Sequence, residues 1–235
     1  GTGNTNTSQL SLYTIPDLHN VKQIACGGYH TVFLLEDGTV RTVGFNRHGQ
    51  CGTGNTSNTQ LSLYTIPDLN NVKQVACGGN HTVFLLEDGT VRTVGYNYFG
   101  QCGTGNTITQ LSLYTIPNLT NVKQIACGYY YTVFLLEDGT VRTVGYNEYG
   151  QCGTGNTTER QLSLYTIPDL NNVKQIACGL YHSVFLLEDG TVRTVGYNVH
   201  GQCGTGETSL QLSLYTIPNL NNVRLLWDGD IIIVK

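Results

Sequence analysis

A period of about 51 residues runs through this chain and constrains its fold more than any other feature. The string VFLLEDGTVRTVG stands unchanged at Val32 to Gly44, Val83 to Gly95, Val133 to Gly145 and Val184 to Gly196. QLSLYTIP begins at Gln9, Gln60, Gln110, Gln161 and Gln211. The spacing shifts by one residue only in the segment ahead of QLSLYTIP, which marks that segment as a loop. Each copy breaks into four short apolar runs separated by turn signals. VKQIAC (Val21 to Cys26) ends at Gly27, and TVFLLE (Thr31 to Glu36) has the continuous apolar centre of a strand covered on both faces. Asp37-Gly38 then predicts a two-residue primed turn, so TVRTVG (Thr39 to Gly44) pairs antiparallel with the run before it. QLSLYTI (Gln60 to Ile66) alternates and stops at Pro67, which suits a sheet edge because proline donates nothing to a ladder. No segment has helical periodicity of useful length.

Four antiparallel strands repeated at this length describe a β-propeller blade, so the expected fold is all-β, with about five near-identical repeats. One blade cannot bury both of its faces, and neighbouring blades must cover them. The expected organisation is a single propeller domain over 1–235, with units at 1–36, 37–87, 88–137, 138–188 and 189–235. The abundance of glycine and a charged fraction of only 12% fit short strands joined by many turns. A net charge of −4 supplies no basic field for a phosphate backbone, which speaks against nucleic acid as a partner and against anionic membranes. No apolar run approaches the roughly 18 residues of a membrane span, and the first residues lack a signal-peptide pattern.

The unit from Asp37 to Glu87 closely resembles the repeat of the regulator of chromosome condensation family. The resemblance rests on the DG turn, on a G-x-N-x-x-G-Q-x-G-x-G loop (Gly44, Asn46, Gly49, Gln50, Gly52, Gly54) and on an A-x-G-x-x-H segment (Ala76, Gly78, His81). It covers essentially the whole chain and implies a propeller, with seven blades in most of the family. Here only four hairpins are complete, because VRLLWDGDIIIVK (Val223 to Lys235) replaces the usual continuation. A five-unit ring, closed by the N-terminal strand Gln9 to Ile15 on the last blade, is the preferred reading. A truncated piece of a larger ring and a chain whose open strand edges pair with another copy are the alternatives. Family members that catalyse nucleotide exchange carry an inserted wedge in one blade, and all loops here are of equal length to within about one residue. Exchange is therefore not expected. The family's bacterial inhibitors, which use loops on one face, are closer to what this chain offers.

The copies differ in few places. After CG the first unit has Tyr29, the second Asn80, the third Tyr129 and Tyr130, the fourth Leu180 and Tyr181. After the GxN step they have Arg47 and His48, Tyr98 and Phe99, Glu148 and Tyr149, then Val199 and His200. An up-and-down blade puts both kinds of loop on one face, while the invariant EDG hairpins lie on the other. Tyr and Arg are enriched at binding hot spots, so these residues are the candidate partner-binding set. The bland alternative is drift in exposed loops, which should also touch the hairpins on the other face. His30, His81 and His182, with Tyr131 in the remaining unit, are expected to satisfy buried backbone groups. Asn46, Asn97, Asn147 and Asn198 are expected to form turns by bonding the local backbone.

Eight cysteines fall at two repeat positions, after IA and after GQ. Cys26 and Cys51 could approach each other, but small buried thiols are the preferred reading. No cysteine or histidine pair has zinc-ligand spacing, and no metal or other cofactor is expected. Near-copies supply no asymmetric constellation of nucleophile, base and orienter, so no catalytic residue is assigned. Arg41 and its equivalents are expected to pair with acidic neighbours. The expected function is a non-catalytic module that binds a protein partner. A lectin-like glycan binder and a recently amplified or engineered scaffold with no selected ligand are the alternatives. No compartment is specified, although eight free thiols would favour the cytoplasm.

Overall fold

Each apolar run becomes a strand, and consecutive strands stack into one sheet. The computed structural model describes residues 11–220, 223–225 and 231–233. Blade one is β1 (Val21–Cys26), β2 (His30–Leu35), β3 (Val40–Phe45) and β4 (Thr59–Thr65). Blade two is β5 (Val72–Cys77), β6 (His81–Leu86), β7 (Val91–Gly95) and β8 (Gln110–Thr115). Blade three is β9 (Val122–Cys127), β10 (Tyr131–Leu136), β11 (Val141–Tyr146) and β12 (Arg160–Thr166). Blade four is β13 (Val173–Cys178), β14 (His182–Leu187), β15 (Val192–Gly196) and β16 (Gln211–Thr216). A two-stranded hairpin, β17 (Val223–Leu225) and β18 (Ile231–Ile233), follows beside β13 and β14. Every blade is an antiparallel meander in chain order, and the described residues contain no helix.

The hairpin turn differs from the expected primed type. Gly38 N–H donates to the Leu35 carbonyl and only Gly38 takes positive φ (80°), so a three-residue loop ends in a left-handed glycine. Asp37 precedes that glycine, and its carboxylate accepts from the Thr39 amide (2.9 Å) and hydroxyl (2.7 Å). The Arg41 expectation is also corrected. Arg92 donates to the backbone carbonyl of Asp68 (2.8 Å), Arg142 to that of Asn118 (3.2 Å), and Arg41 to that of Asp17. These carbonyls are presented by Asp or Asn residues in the left-handed region after each proline, so no carboxylate is needed.

The core lies between blades. Val32, Leu34 and Val40 of blade one pack on Val75, Phe84 and Val94 of blade two. The same residue types join blades two and three and blades three and four. Two polar devices reinforce the joints, one at all three described joints and the other at the first two. The first is an inner-strand glutamine: Gln74 donates to the Ile125 carbonyl (2.9 Å) and accepts from its amide (3.0 Å), as Gln23 does with Val75 and Gln124 with Ile176. The second is the A-x-G-x-x-H histidine. His30 Nε2 bonds Thr82 Oγ1 (2.8 Å), and Thr82 in turn donates to the Gln50 carbonyl (2.8 Å). His81, Thr132 and Gln101 repeat the pattern. Because each threonine hydroxyl spends its proton on a carbonyl, the imidazole must supply the Nε2–H. His30 and His81 are thus buried as expected, but their partner is a hydroxyl of the next blade and not a backbone group; Tyr131 does bond a backbone carbonyl, that of His182, while His182 itself is only partly buried.

Residues 11–15 of the N-terminal QLSLYTIP copy are not a strand, which corrects the expected closure of the last blade; Gln9 and Leu10 lie outside the described residues. Blade one consequently shows a face that the other blades cover. Ile24 is 49% exposed, whereas Val75, Ile125 and Ile176 at the same register are at most 2% exposed.

All eight cysteines are free thiols. Cys51, Cys102, Cys152 and Cys203 are fully buried, and burial pushes the Cys51 thiol up to about 12 and that of Cys203 to about 11. The other four line one end of the central channel, where Cys26 is exposed. Thiol titration of the unfolded, unreduced protein should find eight groups, and the folded protein should hide the four outer ones. Fewer than eight would establish a disulfide.

Candidate interaction face

The GxN step, which recurs in every blade, builds the platform on which the variable residues stand. Asn46 is buried, accepts from the Cys51 amide (3.0 Å) and donates to Thr53 Oγ1 (2.7 Å), so one side chain closes the whole loop, as its turn-forming role requires. Asn97, Asn147 and Asn198 do the same in the other blades. Between this asparagine and the preceding glycine sits an aromatic residue in every blade: Phe45, Tyr96, Tyr146 and Tyr197. Its amide donates to the carbonyl at the tip of the first loop, as Phe45 N–H does to Tyr29 (2.8 Å), which ties both variable loops to one end of the blade.

Those four aromatics join the candidate residues into a continuous arc. Tyr29 meets Phe45 at 6.1 Å between centroids, and Phe45 meets His48 at 6.1 Å. His48 crosses to Tyr96 of blade two at 4.8 Å, where Tyr98, Phe99 and Tyr130 gather. Phe99 crosses to Tyr146 of blade three at 4.8 Å, and Tyr149 continues to Tyr181 (5.4 Å) and Tyr197 (4.9 Å) of blade four. Tyr197 ends the arc on His200 at 6.0 Å. Tyr129 branches from it through Tyr130 (4.5 Å) toward the channel mouth, which it lines with Leu180. Edge-to-face pairs in this distance range are favourable, so the rings hold one another in place.

The remaining candidates stand around the arc. Arg47 is exposed beside His48, whose imidazole is held below its ordinary range by burial and then by the Arg47 charge. Glu148 accepts from the Tyr146 hydroxyl. Leu180 and Val199 are exposed. Asn80 is occupied internally, since its Oδ1 accepts from Gln50 Nε2 (3.1 Å) across the first joint. Blades three and four have Tyr130 and Tyr181 at that position, and the buried Gln101 and Gln151 amides have no partner there.

Sequence reasoning missed Phe45, Tyr96, Tyr146 and Tyr197 because it looked for differences between copies, and these recur. An aromatic at a fixed offset in every copy was the available signal. It also missed Arg160, the residue ahead of QLSLYTIP in blade three, whose guanidinium lies 4.0 Å from the Tyr98 ring centroid.

Four of the phenols are pushed toward their neutral form. Burial, then the neighbouring Tyr129, raises Tyr130 to about 12, and burial followed by the bond to Glu148 raises Tyr146 further. Tyr96 and Tyr181 are raised as well, mainly by burial. Among the described residues no group of three or more His, Cys, Asp or Glu side chains could hold a metal ion. The face therefore offers wide, neutral rings with hydroxyl donors, rimmed by a few charges.

Antiparallel four-stranded blades, joined face to face and presenting such loops at one end, define a repeat β-propeller. The model of the RCC1-like domain family matches residues 1–228, and the chain belongs to that family. It is similar to the ultraviolet-B receptor UVR8 of Arabidopsis thaliana, with 31% identity over 190 residues, 80% of this chain and 32% of that protein. It is also similar to the X-linked retinitis pigmentosa GTPase regulator homolog of Caenorhabditis elegans, with 34% identity over 105 residues, 41% of this chain and 8% of that protein. The chain thus spans about a third or less of the curated relatives it matches. Among solved structures, human WBSCR16 superposes with a TM-score of 0.82 at 25% identity, over 93% of this chain and 61% of that one. Yeast RCC1 (Prp20), solved bound to Kap60, gives 0.79 at 23% identity over 88% of this chain and 51% of that one, a likeness of fold.

Proposed function

We propose that this chain holds a protein partner on the aromatic arc and performs no chemistry on it. The observation behind the proposal is the unbroken series of ring contacts from Tyr29 in blade one to His200 in blade four. Such rings offer large amphipathic contact area with few rotors to freeze, which is what binding hot spots use. The composition of the arc changes from blade to blade, which suits one extended partner better than several equal glycan sites. Protein partners are also named for Prp20, the yeast propeller of this fold: Kap60, Gsp1p and histones. Chemistry is disfavoured because Tyr96, Tyr130, Tyr146 and Tyr181 are pushed toward their protonated form and the buried His30, His81 and Cys51 are committed to the joints and loops.

A photo-cross-linking residue at position 98 should identify the partner, whose affinity is then measured. Combined alanine replacement of Tyr98, Phe99, Tyr130 and Tyr149 should weaken it at least about tenfold, since single hot spots already contribute about 2 kcal/mol or more. Unchanged affinity would end the proposal, and saturable binding on a glycan array with equal sites would favour the lectin reading. Self-association is a second reading, favoured by the half-exposed Ile24 on the otherwise covered blade face. Sedimentation equilibrium with Ile24→Arg tests it: a concentration-dependent mass that the substitution leaves unchanged rejects that face.

A further inference from the structure

Resting on the reading that this face binds protein, we infer that its Tyr98–Phe99 corner is a receptor for an arginine side chain of the partner, and that Arg160 is its internal occupant. Arg160 opens the outer strand of blade three, opposite Tyr146, and reaches back over the loop of blade two. Its guanidinium carbon lies 4.0 Å from the Tyr98 centroid and 5.9 Å from that of Phe99, within the range of attraction between a cation and a ring face. Little else holds it there. Its Nε lies 3.5 Å from Glu159 Oε2 without hydrogen-bond geometry, and that nitrogen has no other partner.

The site is therefore built for a planar cation and filled by a weakly tethered one. Tyr98 stays 45% exposed beneath it, with Tyr96 stacked at 6.3 Å on the ring, so the corner is open to an approaching chain. The other blades have threonine or leucine where blade three has arginine, namely Thr59, Thr109 and Leu210, so the occupied corner is a property of this one joint. Charge agrees. The variable loops carry three carboxylates, Glu148, Glu159 and Glu207, against the guanidiniums of Arg47 and Arg160. A partner guanidinium that displaces Arg160 meets the same rings and gains Glu159. Arginine is preferred to lysine because its flat, weakly hydrated head stacks on an aromatic face, whereas an ammonium keeps its water.

The test uses fluorescence anisotropy with a labelled peptide of alternating glycine and arginine and a lysine peptide of equal charge. The arginine peptide should bind more tightly than the lysine one. Arg160→Ala should tighten it roughly three- to tenfold by removing the competitor, a gain matching about 1 kcal/mol of cation–π contact. Tyr98→Leu, which keeps bulk and removes the ring, should weaken it by a similar factor. Equal binding of the two peptides, or no response to either substitution, would overturn the inference and leave only attraction to an acidic protein. If the peptide is indifferent while the fourfold alanine variant still loses its cross-linked partner, the arginine assignment falls and the binding face stands. If the fourfold variant keeps its partner while Tyr98→Leu weakens the peptide, the reverse holds.

Discussion

Lowering the pH from about 7 to about 4 should destabilise this propeller by several kcal/mol, with the loss traceable to His30 and His81. Both imidazoles are buried in joints and neutral, and burial lowers His30 to about 4 and His81 to about 3. Each already donates Nε2–H to a threonine, and each buried Nδ1 has no partner, so a second ring proton would find no acceptor. The unfolded chain binds protons first, near pH 6.5. The stabilisation is therefore complete above that value and drains as pH falls, through about 4 for His30 and about 3 for His81. Each group contributes on the order of 3 kcal/mol across its window. The turn carboxylates Asp37, Asp88, Asp138 and Asp189, lowered by bonds from the following threonines, act in the same direction at lower pH. The third unit supplies the control, because Tyr131 bridges its joint through a bond to the His182 carbonyl (2.5 Å) and does not titrate in acid. Melting temperatures between pH 7 and 4 should fall less steeply for His81→Tyr than for the parent. Parallel curves would remove His81 from the account.

Replacing Gln74 by leucine should lower stability by about 2–5 kcal/mol. The substitution keeps the apolar volume but strips two partners from buried backbone: the Ile125 amide loses its acceptor and the Ile125 carbonyl its donor. Each orphaned group contributes about 1–3 kcal/mol of desolvation penalty. Urea unfolding should show an earlier midpoint with an unchanged slope, since the surface exposed on unfolding is the same. A change under about 0.5 kcal/mol would mean that the amide pairing is incidental.

Much of this was legible in the sequence. The period, the four runs per unit and the continuous burial of the second strand follow from local pattern, and Val83, Phe84 and Leu85 are sealed as that pattern demands. The asparagine turns were legible because their partners lie within about ten residues. The joints were not. Gln74 and Ile125 are 51 residues apart, as are His81 and Thr132, and a partner one whole copy away looks the same as the equivalent residue in the residue's own copy. The hairpin turn was misread for another reason. DG permits both a primed two-residue turn and a left-handed glycine after a type I turn, and the Asp37–Thr39 bonds select the second. At the candidate face, attention to variation found Tyr98, Phe99 and Tyr130 but passed over Tyr96, which touches all three.

The glutamine clasp points one way round: each of the first three blades reaches with a side chain, and its successor answers with main chain alone. Main chain is the same in every copy, so the clasp does not inspect which unit comes next. Duplication or reordering of units within such a gene can therefore redraw the surface shown to the outside while the frame carrying it goes on assembling by one unaltered rule.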